Sequence, residues 1–256
     1  MIPVMIIPTY NRADLLARLI ASIDYPIENL VIIDNSPNHK QRDAIDDALF
    51  LKGHAWRGYV ESVHRIEHPN AGVGGSWNEG IKLFPADWWL LVNDDIQFAP
   101  SVVVVEHAGD LQKMHDFVES REHDLGCAYG NHGASFWAVT QLGIETVGLF
   151  DENLFPAYLE DCDWARRADL LGVKRGNCPD INSVHGDNKL TGSCTINSDL
   201  TVQANNVRTH GGNFSYYRAK WGGNNGQEVF KTPFNDPHCP LWAWTFLPEN
   251  RKRQKW

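Results

Sequence analysis

Short apolar runs separated by amphipathic stretches dominate the first half of the chain. Pro3-Val4-Met5-Ile6-Ile7-Pro8, Leu30-Val31-Ile32-Ile33 and Trp88-Trp89-Leu90-Leu91-Val92 are each bounded by polar residues. Runs of that length predict buried strands of a parallel sheet. Tyr59 to Ile66 alternates polar and apolar residues and predicts a further strand between them. Between the strands, Asp14 to Ile23 places Leu15, Leu16, Leu19, Ile20 and Ile23 on one helical stripe. Lys40 to Leu51 predicts a second helix, and a third follows Asn70 to Gly75 and runs through Ile81. Strand and helix alternate from residue 3 to about 120, the pattern of βαβ units in an α/β protein with a mostly parallel central sheet flanked by helices.

Beyond residue 120 the pattern breaks up. Gly126 to Gly130 and Ser135 to Val139 predict short strands, and Thr140 to Val147 a short helix. Ala165 to Leu171 predicts another helix, stopped by Gly172. Residues 187–256 are rich in Asn, Gly, Trp and His. Asn205-Asn206, Gly211-Gly212-Asn213 and Trp221-Gly222-Gly223-Asn224-Asn225-Gly226 are loop signals there. They predict two separate helices, Asn197 to Arg208 and Phe214 to Lys220. The division expected is a domain over residues 1–186, with residues 187–256 as a loop-rich elaboration packed on it and shaping a pocket.

Composition narrows the class. A net charge of −9 over 256 residues disfavours a protein that simply coats nucleic acid, although Arg251 to Trp256 carries four cations. Cys127, Cys162, Cys178, Cys194 and Cys239 are scattered and lack CxxC spacing, which predicts reduced thiols in a cytoplasmic protein. Cys178 and Cys194 could pair only in an exported protein. Met1-Ile2-Pro3-Val4 has no charged segment before it and no long apolar core, so no signal peptide is expected. Val102 to Val105 is far too short to span a bilayer, so no integral membrane segment is expected.

The candidate chemistry lies where the apolar runs end. Trp88 to Val92 stops abruptly at Asn93-Asp94-Asp95. Ligands of open α/β sheets sit at the carboxyl ends of strands. Adjacent carboxylates there suit Mn²⁺ or Mg²⁺ carrying phosphate oxygens; the alternative is a polar turn. Thr9 to Arg12 and Asp34 to Ser36 follow strands at the same end of the sheet, within reach of one nucleotide-sized ligand. The glycines of Asn70 to Gly75 could bring backbone N–H groups to a phosphate. They form neither GxGxxG nor a P-loop, and a tight turn before a helix is the alternative. Glu160, Asp161 and Asp163 crowd a helix start, where acids serve the dipole and cap. One of them could also take a proton from a hydroxyl. His185 is a candidate additional metal ligand. Of the ten tryptophans, most are expected in the core; Trp137, Trp164 and Trp221 are the candidates for acceptor contact.

In this order the elements resemble the family 2 glycosyltransferases with the GT-A fold, over roughly residues 3–186. Pro8-Thr9-Tyr10-Asn11-Arg12 is similar to their first-strand motif and Asp34-Asn35-Ser36 to the second-strand motif that contacts the base. Asn70 to Gly75 with Asn78 looks like their asparagine-glycine segment, and Asn93-Asp94-Asp95 stands where the metal-binding triplet belongs. Glu160-Asp161-Cys162-Asp163-Trp164 is similar to their catalytic segment, and His185 matches a late histidine of the metal shell. Asn93 departs from the usual Asp. The C-terminal part, with Trp221-Gly222-Gly223 and Thr232-Pro233-Phe234, resembles bacteriophage-encoded members.

The resemblance implies a metal-dependent, inverting glycosyltransferase using a nucleotide-sugar donor, with a UDP-sugar favoured. Its nucleotide-sugar half would be about residues 1–100 and its acceptor half about 101–186. Donor binding would fall to Pro8, Thr9, Tyr10, Asn11, Arg12, Asp34, Asn70, Gly72, Gly75, Asn78, Asn93 and Asp94. Asp95 and His185 would hold Mn²⁺ or Mg²⁺, and Asp161 would act as base with Asp163 and Glu160 in support. A saccharide is the expected acceptor. Hydroxymethylated pyrimidines in phage DNA are the alternative, with the aromatic, basic C-terminus serving stacking and phosphate contact. The rival classes are a non-catalytic nucleotide-sugar or carbohydrate-binding protein, a nucleotidyltransferase and a glycoside hydrolase with paired carboxylates.

Overall fold

The computed structural model describes residues 1–50, 55–101, 108–121, 123–186, 194–197 and 200–242. Val102 to Val105 and the basic tail 251–256 lie outside the described residues.

The strands are β1 (Ile2–Thr9), β2 (Ile27–Asp34), β3 (Val60–Glu67), β4 (Trp88–Val92), β5 (Ile96–Gln97), β6 (Cys127–Gly130), β7 (Gly133–Thr140), β8 (Arg175–Asn177) and β9 (Val184–His185). Seven of them form one sheet in the order β3-β2-β1-β4-β7-β6-β8. Within it β7 alone runs antiparallel to its neighbours β4 and β6. The other pairs are parallel. Register brings Thr9 beside Asp34 and Ile6 beside Leu91, so β1, β2 and β4 finish at one end of the sheet. The three polar loops predicted to share an end do share it.

Period-two alternation divides the strand residues between two cores. Met5, Ile7, Leu30, Ile32, Leu90 and Val92 face helices α1 (Ala13–Ala21), α2 (His39–Phe50) and α4 (Asp110–Glu119). Val4, Ile6, Val31, Ile33, Trp89 and Leu91 face Trp77 of α3 (Gly72–Leu83) and Trp164 of α6 (Glu160–Leu170). Both faces are covered over β1, β2 and β4, so their apolar runs are uninterrupted, whereas the edge strand β3 alternates.

Two expectations about elements are overturned. Helix α6 begins at Glu160, not Ala165, so the acidic residues form its first turn. The two expected C-terminal helices are one, α8 (Leu200–Trp221). Gly211 and Gly212 lie on its exposed side, where an added Cβ would meet nothing. Each glycine costs a helix about 1 kcal/mol, but burial of Asn213, Tyr217, Lys220 and Trp221 on the opposite face outweighs that.

The acceptor assignments of three tryptophans fail for one reason: all three are fully buried. Trp137 packs edge-on against Trp77 and Trp164 beneath the sheet. Trp164 donates its indole N–H to Gly148 O at 2.9 Å, and Trp221 donates to Asp163 Oδ1 at 2.8 Å. None presents a ring to a ligand. Asp163 is corrected with them. Its carboxylate accepts from Arg167 Nε at 2.9 Å and from Lys220 Nζ at 2.7 Å, fully enclosed. Burial works to raise its pKa, but the two cations outweigh it and hold the carboxyl below its ordinary range. It anchors α8 to α6 and cannot reach a substrate.

Candidate active site

A cavity of about 400 Å³ opens at the carboxyl end of β1, β2 and β4. Its walls bring together Thr9, Asp94 and Asp95 from the sheet, Gly72 from the start of α3, and Glu160 and Asp161 from the start of α6. The cavity therefore joins two acidic groups that lie 66 positions apart, from Asp95 to Asp161.

Asp94 is buried between two hydroxyls: Thr9 donates to Oδ2 at 2.8 Å and Thr195 to Oδ1 at 2.9 Å. Burial, with the charge of Asp95 beside it, pushes its pKa up to about 7. Asp95 differs. Burial also acts upward on it, but the facing imidazole of His185 and the backbone N–H of Cys194, 2.9 Å from Oδ2, outweigh that and hold it below its ordinary range. The short pairing of β5 with β9 sets Ile96 opposite His185, which delivers the imidazole. Asp95 Oδ1 and His185 Nε2 lie 3.2 Å apart, both atoms buried and facing each other without a well-aligned hydrogen bond. A carboxylate oxygen and an imidazole nitrogen at that spacing fit one hard divalent cation. Among the described residues no three such groups cluster, so a cation here would take further ligands from phosphate or water, as Mg²⁺ habitually does.

On the opposite wall, burial raises the pKa of Asp161 above the ordinary carboxylate range. Burial and the charge of Asp161 raise that of Glu160 well above its ordinary value. The turn leading into them is strained, since Tyr158 and Leu159 both have positive φ (78° and 76°). Bulky residues rarely adopt that conformation; it costs of order 1–3 kcal/mol each and collects at functional sites.

The expected donor residues divide into those on the cavity and those holding it together. Pro8, Thr9, Tyr10, Asn70, Gly72, Asn93 and Asp94 line it. Asn93 keeps an unpartnered Oδ1, with its amide nitrogen 3.2 Å from Ser135 Oγ. Asp34 does not line it: its carboxylate is fully buried, 2.8 Å from Arg65 Nη2 and capped by Ser36 N–H. Its neighbour Asn35 lines the wall instead. Arg12 is bound to Asp14 and to Cys194 O at 3.0 Å, and so holds the helical turn α7 (Cys194–Asn197) over the acidic pair. Asn11 N–H donates to Ser36 Oγ at 2.8 Å. Asn78 bonds both N–H and C=O of Phe150, 2.8 and 2.9 Å away, and buries its amide there. Gly75 packs on Ala71, where a Cβ would sit 2.9 Å from the Ala71 methyl.

Gly72, at φ 70°, is required by protein rather than by a phosphate: a Cβ would lie 2.5 Å from Pro156 O. That close approach ties α3 to the segment that carries Asp161. Sequence reasoning missed His132, Ser135, Tyr158, Thr195 and Asn206 on the walls. None carries a motif signal.

Residues 4–120 match the family described as Glycosyl transferase family 2. A galactofuranosyl glycosyltransferase of Leishmania donovani is 24% identical over a 336-residue alignment covering 100% of this chain and 76% of that protein. Among solved structures, the mannosyltransferase PcManGT from Pyrobaculum calidifontis, in complex with GDP-Man and Mn²⁺, matches with a TM-score of 0.52 at 15% identity. The match covers 69% of this chain and 54% of that one. S. aureus TarS matches with a TM-score of 0.49 at 17% identity, covering 70% of this chain and 35% of that one. The chain thus spans about half the length of the mannosyltransferase, or less of the TarS chain. The chain thus has the GT-A fold of its solved neighbour, and its residues 4–120 match the pattern of Glycosyl transferase family 2.

Proposed function

We propose that the chain transfers a hexosyl group from a nucleotide-sugar donor to a saccharide hydroxyl, with a divalent cation and with inversion at the anomeric carbon. The observation that carries this reading is the single cavity with a cation-compatible pair, Asp95 and His185, on one wall and Asp161 on another. The names of the relatives support it: one transfers galactofuranosyl groups, and another was solved with GDP-Man and Mn²⁺.

In this reading residues 1–100 form the donor half, 101–186 the acceptor half, and 187–256 an elaboration. Thr9, Tyr10, Asn35 and Asn93 line the nucleotide side of the cavity. Asp95 and His185 would hold Mn²⁺ or Mg²⁺, which when bound supplies Lewis-acid neutralisation of the diphosphate. Asp161 takes the proton of the acceptor hydroxyl. The acceptor oxygen then forms a bond to sugar C1 while the bond from C1 to the diphosphate oxygen breaks, and the nucleoside diphosphate leaves with the electron pair. A direct displacement of this kind inverts C1. The raised pKa of Asp161 makes it a stronger base than an exposed aspartate, though it must still be ionised to act.

For DNA as acceptor, Trp221 is buried and offers no stacking face, whereas Trp242 of the same C-terminal part is exposed. The test is incubation with UDP-galactofuranose or GDP-mannose, Mn²⁺ and simple glycosides. Glycoside product with the inverted anomeric configuration is expected; donor binding without transfer or hydrolysis would favour a binding protein instead.

A further inference from the structure

The inner face of α8 offers a site that the catalytic reading leaves unassigned. Asn206, His210, Asn213, Tyr217 and Trp221 recur at helical spacing and share that face. Its far end is an anchor: Tyr217 and Trp221 are buried, and Lys220 is locked to Asp151 and Asp163. Midway, Asn213 Nδ2 donates to Ala157 O at 2.9 Å, holding the strained turn. One turn earlier, the His210 ring meets Tyr158 edge-on, with centroids 5.1 Å apart. At the near end Asn206 lines the cavity, its Oδ1 buried and without a hydrogen-bond partner. A buried, unmatched amide oxygen in a cavity wall is costly unless a ligand completes it. Tyr158 stands in the same wall, three residues before Asp161.

We propose that α8 forms the acceptor-side wall and that the Asn206 amide and the Tyr158 ring bind the acceptor saccharide. The amide bonds a sugar hydroxyl and the ring covers an apolar sugar face. The inference rests on the reading that this chain glycosylates a saccharide, and it adds which residues select that saccharide. The acceptor must approach Asp161, because the base removes its proton. Tyr158 and α8 flank that carboxylate, whereas the nucleotide side is built from β1, β2 and β4. The Trp residues expected to do this work are buried, and Tyr158 supplies the aromatic surface in their place.

The test measures KM for donor and acceptor separately, using a panel of octyl galactofuranoside, octyl galactopyranoside and octyl mannoside. Asn206→Ala removes the amide. Tyr158→Asn removes the ring with a residue that tolerates positive φ. Each variant is expected to raise acceptor KM about five- to tenfold, the loss of roughly one hydrogen bond or its equivalent in contact. Donor KM should stay within about twofold, since neither residue meets the nucleotide. Wild-type transfer with acceptor KM unchanged in both variants overturns the inference alone, as does a rise shared equally by donor and acceptor. A wild-type protein that glycosylates nothing in the panel overturns the saccharide reading and the inference with it.

Discussion

Lys220→Met tests how the C-terminal helix is held to the catalytic segment. Lys220 Nζ lies 2.7 Å from Asp151 Oδ2 and 2.7 Å from Asp163 Oδ1, and Arg167 Nε lies 2.9 Å from Asp163 Oδ2. All four side chains are fully buried, and two cations balance two carboxylates. Methionine keeps most of the volume but leaves two buried carboxylates with one cation. Breaking a buried pair from one side costs about 3–5 kcal/mol. For a domain of this size that lowers the melting temperature by about 10 °C. Adding Asp151→Asn removes the excess charge and should recover roughly half of the loss, as a double-mutant cycle would report.

The pH dependence carries a sign. The Asp163 carboxyl sits below its ordinary range, because Lys220 and Arg167 outweigh burial. Its stabilisation is therefore complete above the unfolded carboxylate value of about 4 and is lost as pH falls through the lower folded value. The gap between wild type and Lys220→Met should be widest near neutrality and narrow on acidification. Thermal unfolding across pH 3–8 (roughly the window these values define) measures it. A drop smaller than about 3 °C at pH 7, or a double variant no better than the single, would refute the reasoning.

Three further outcomes follow. Asp161 titrates above the ordinary carboxylate range, so the acid limb of the pH profile of kcat/KM should lie above about pH 4; a limb at or below that value would remove Asp161 as base. Removing either member of the Asp95–His185 pair proposed to hold the cation, by Asp95→Ala or His185→Ala, should abolish the Mn²⁺-dependent part of the thermal shift produced by UDP or GDP; an undiminished Mn²⁺ effect would place the cation elsewhere. Gly72→Ala forces a Cβ within 2.5 Å of Pro156 O at positive φ, and should destabilise by about 1–3 kcal/mol; wild-type unfolding behaviour would show that the turn relaxes freely.

The first 120 residues were legible because burial on both faces of a parallel sheet leaves short, uninterrupted apolar runs, and the polar residues ending them mark the ligand end. Asp94 and Asp95, which end the run of β4, line the cavity for that reason. What failed was the assignment of side-chain direction. Asp163 and Trp164 sit beside Asp161 in sequence, but on a helix consecutive residues point about 100° apart, and these two turn into the core. Asp34 carries the expected identity, yet Arg65, on the neighbouring strand and two residues out of register, takes its carboxylate. The helix α8 was unreadable because Gly211 and Gly212 weaken the local signal, while the ion network that holds it joins residues as far apart as Asp151 and Lys220. Asn206 and Tyr158 carry no pattern at all; only the packing of α8 against the turn before Asp161 shows their place.

Single-turnover transfer by Asp161→Asn tests the account most directly, because the substitution preserves size and removes only the basic oxygen. With nucleotide sugar, Mn²⁺ and an octyl glycoside, the variant should transfer at least about a thousandfold more slowly than wild type and bind the nucleotide with unchanged affinity. Transfer within about tenfold of wild type, with nucleotide binding intact, would contradict the assignment of Asp161 as the base.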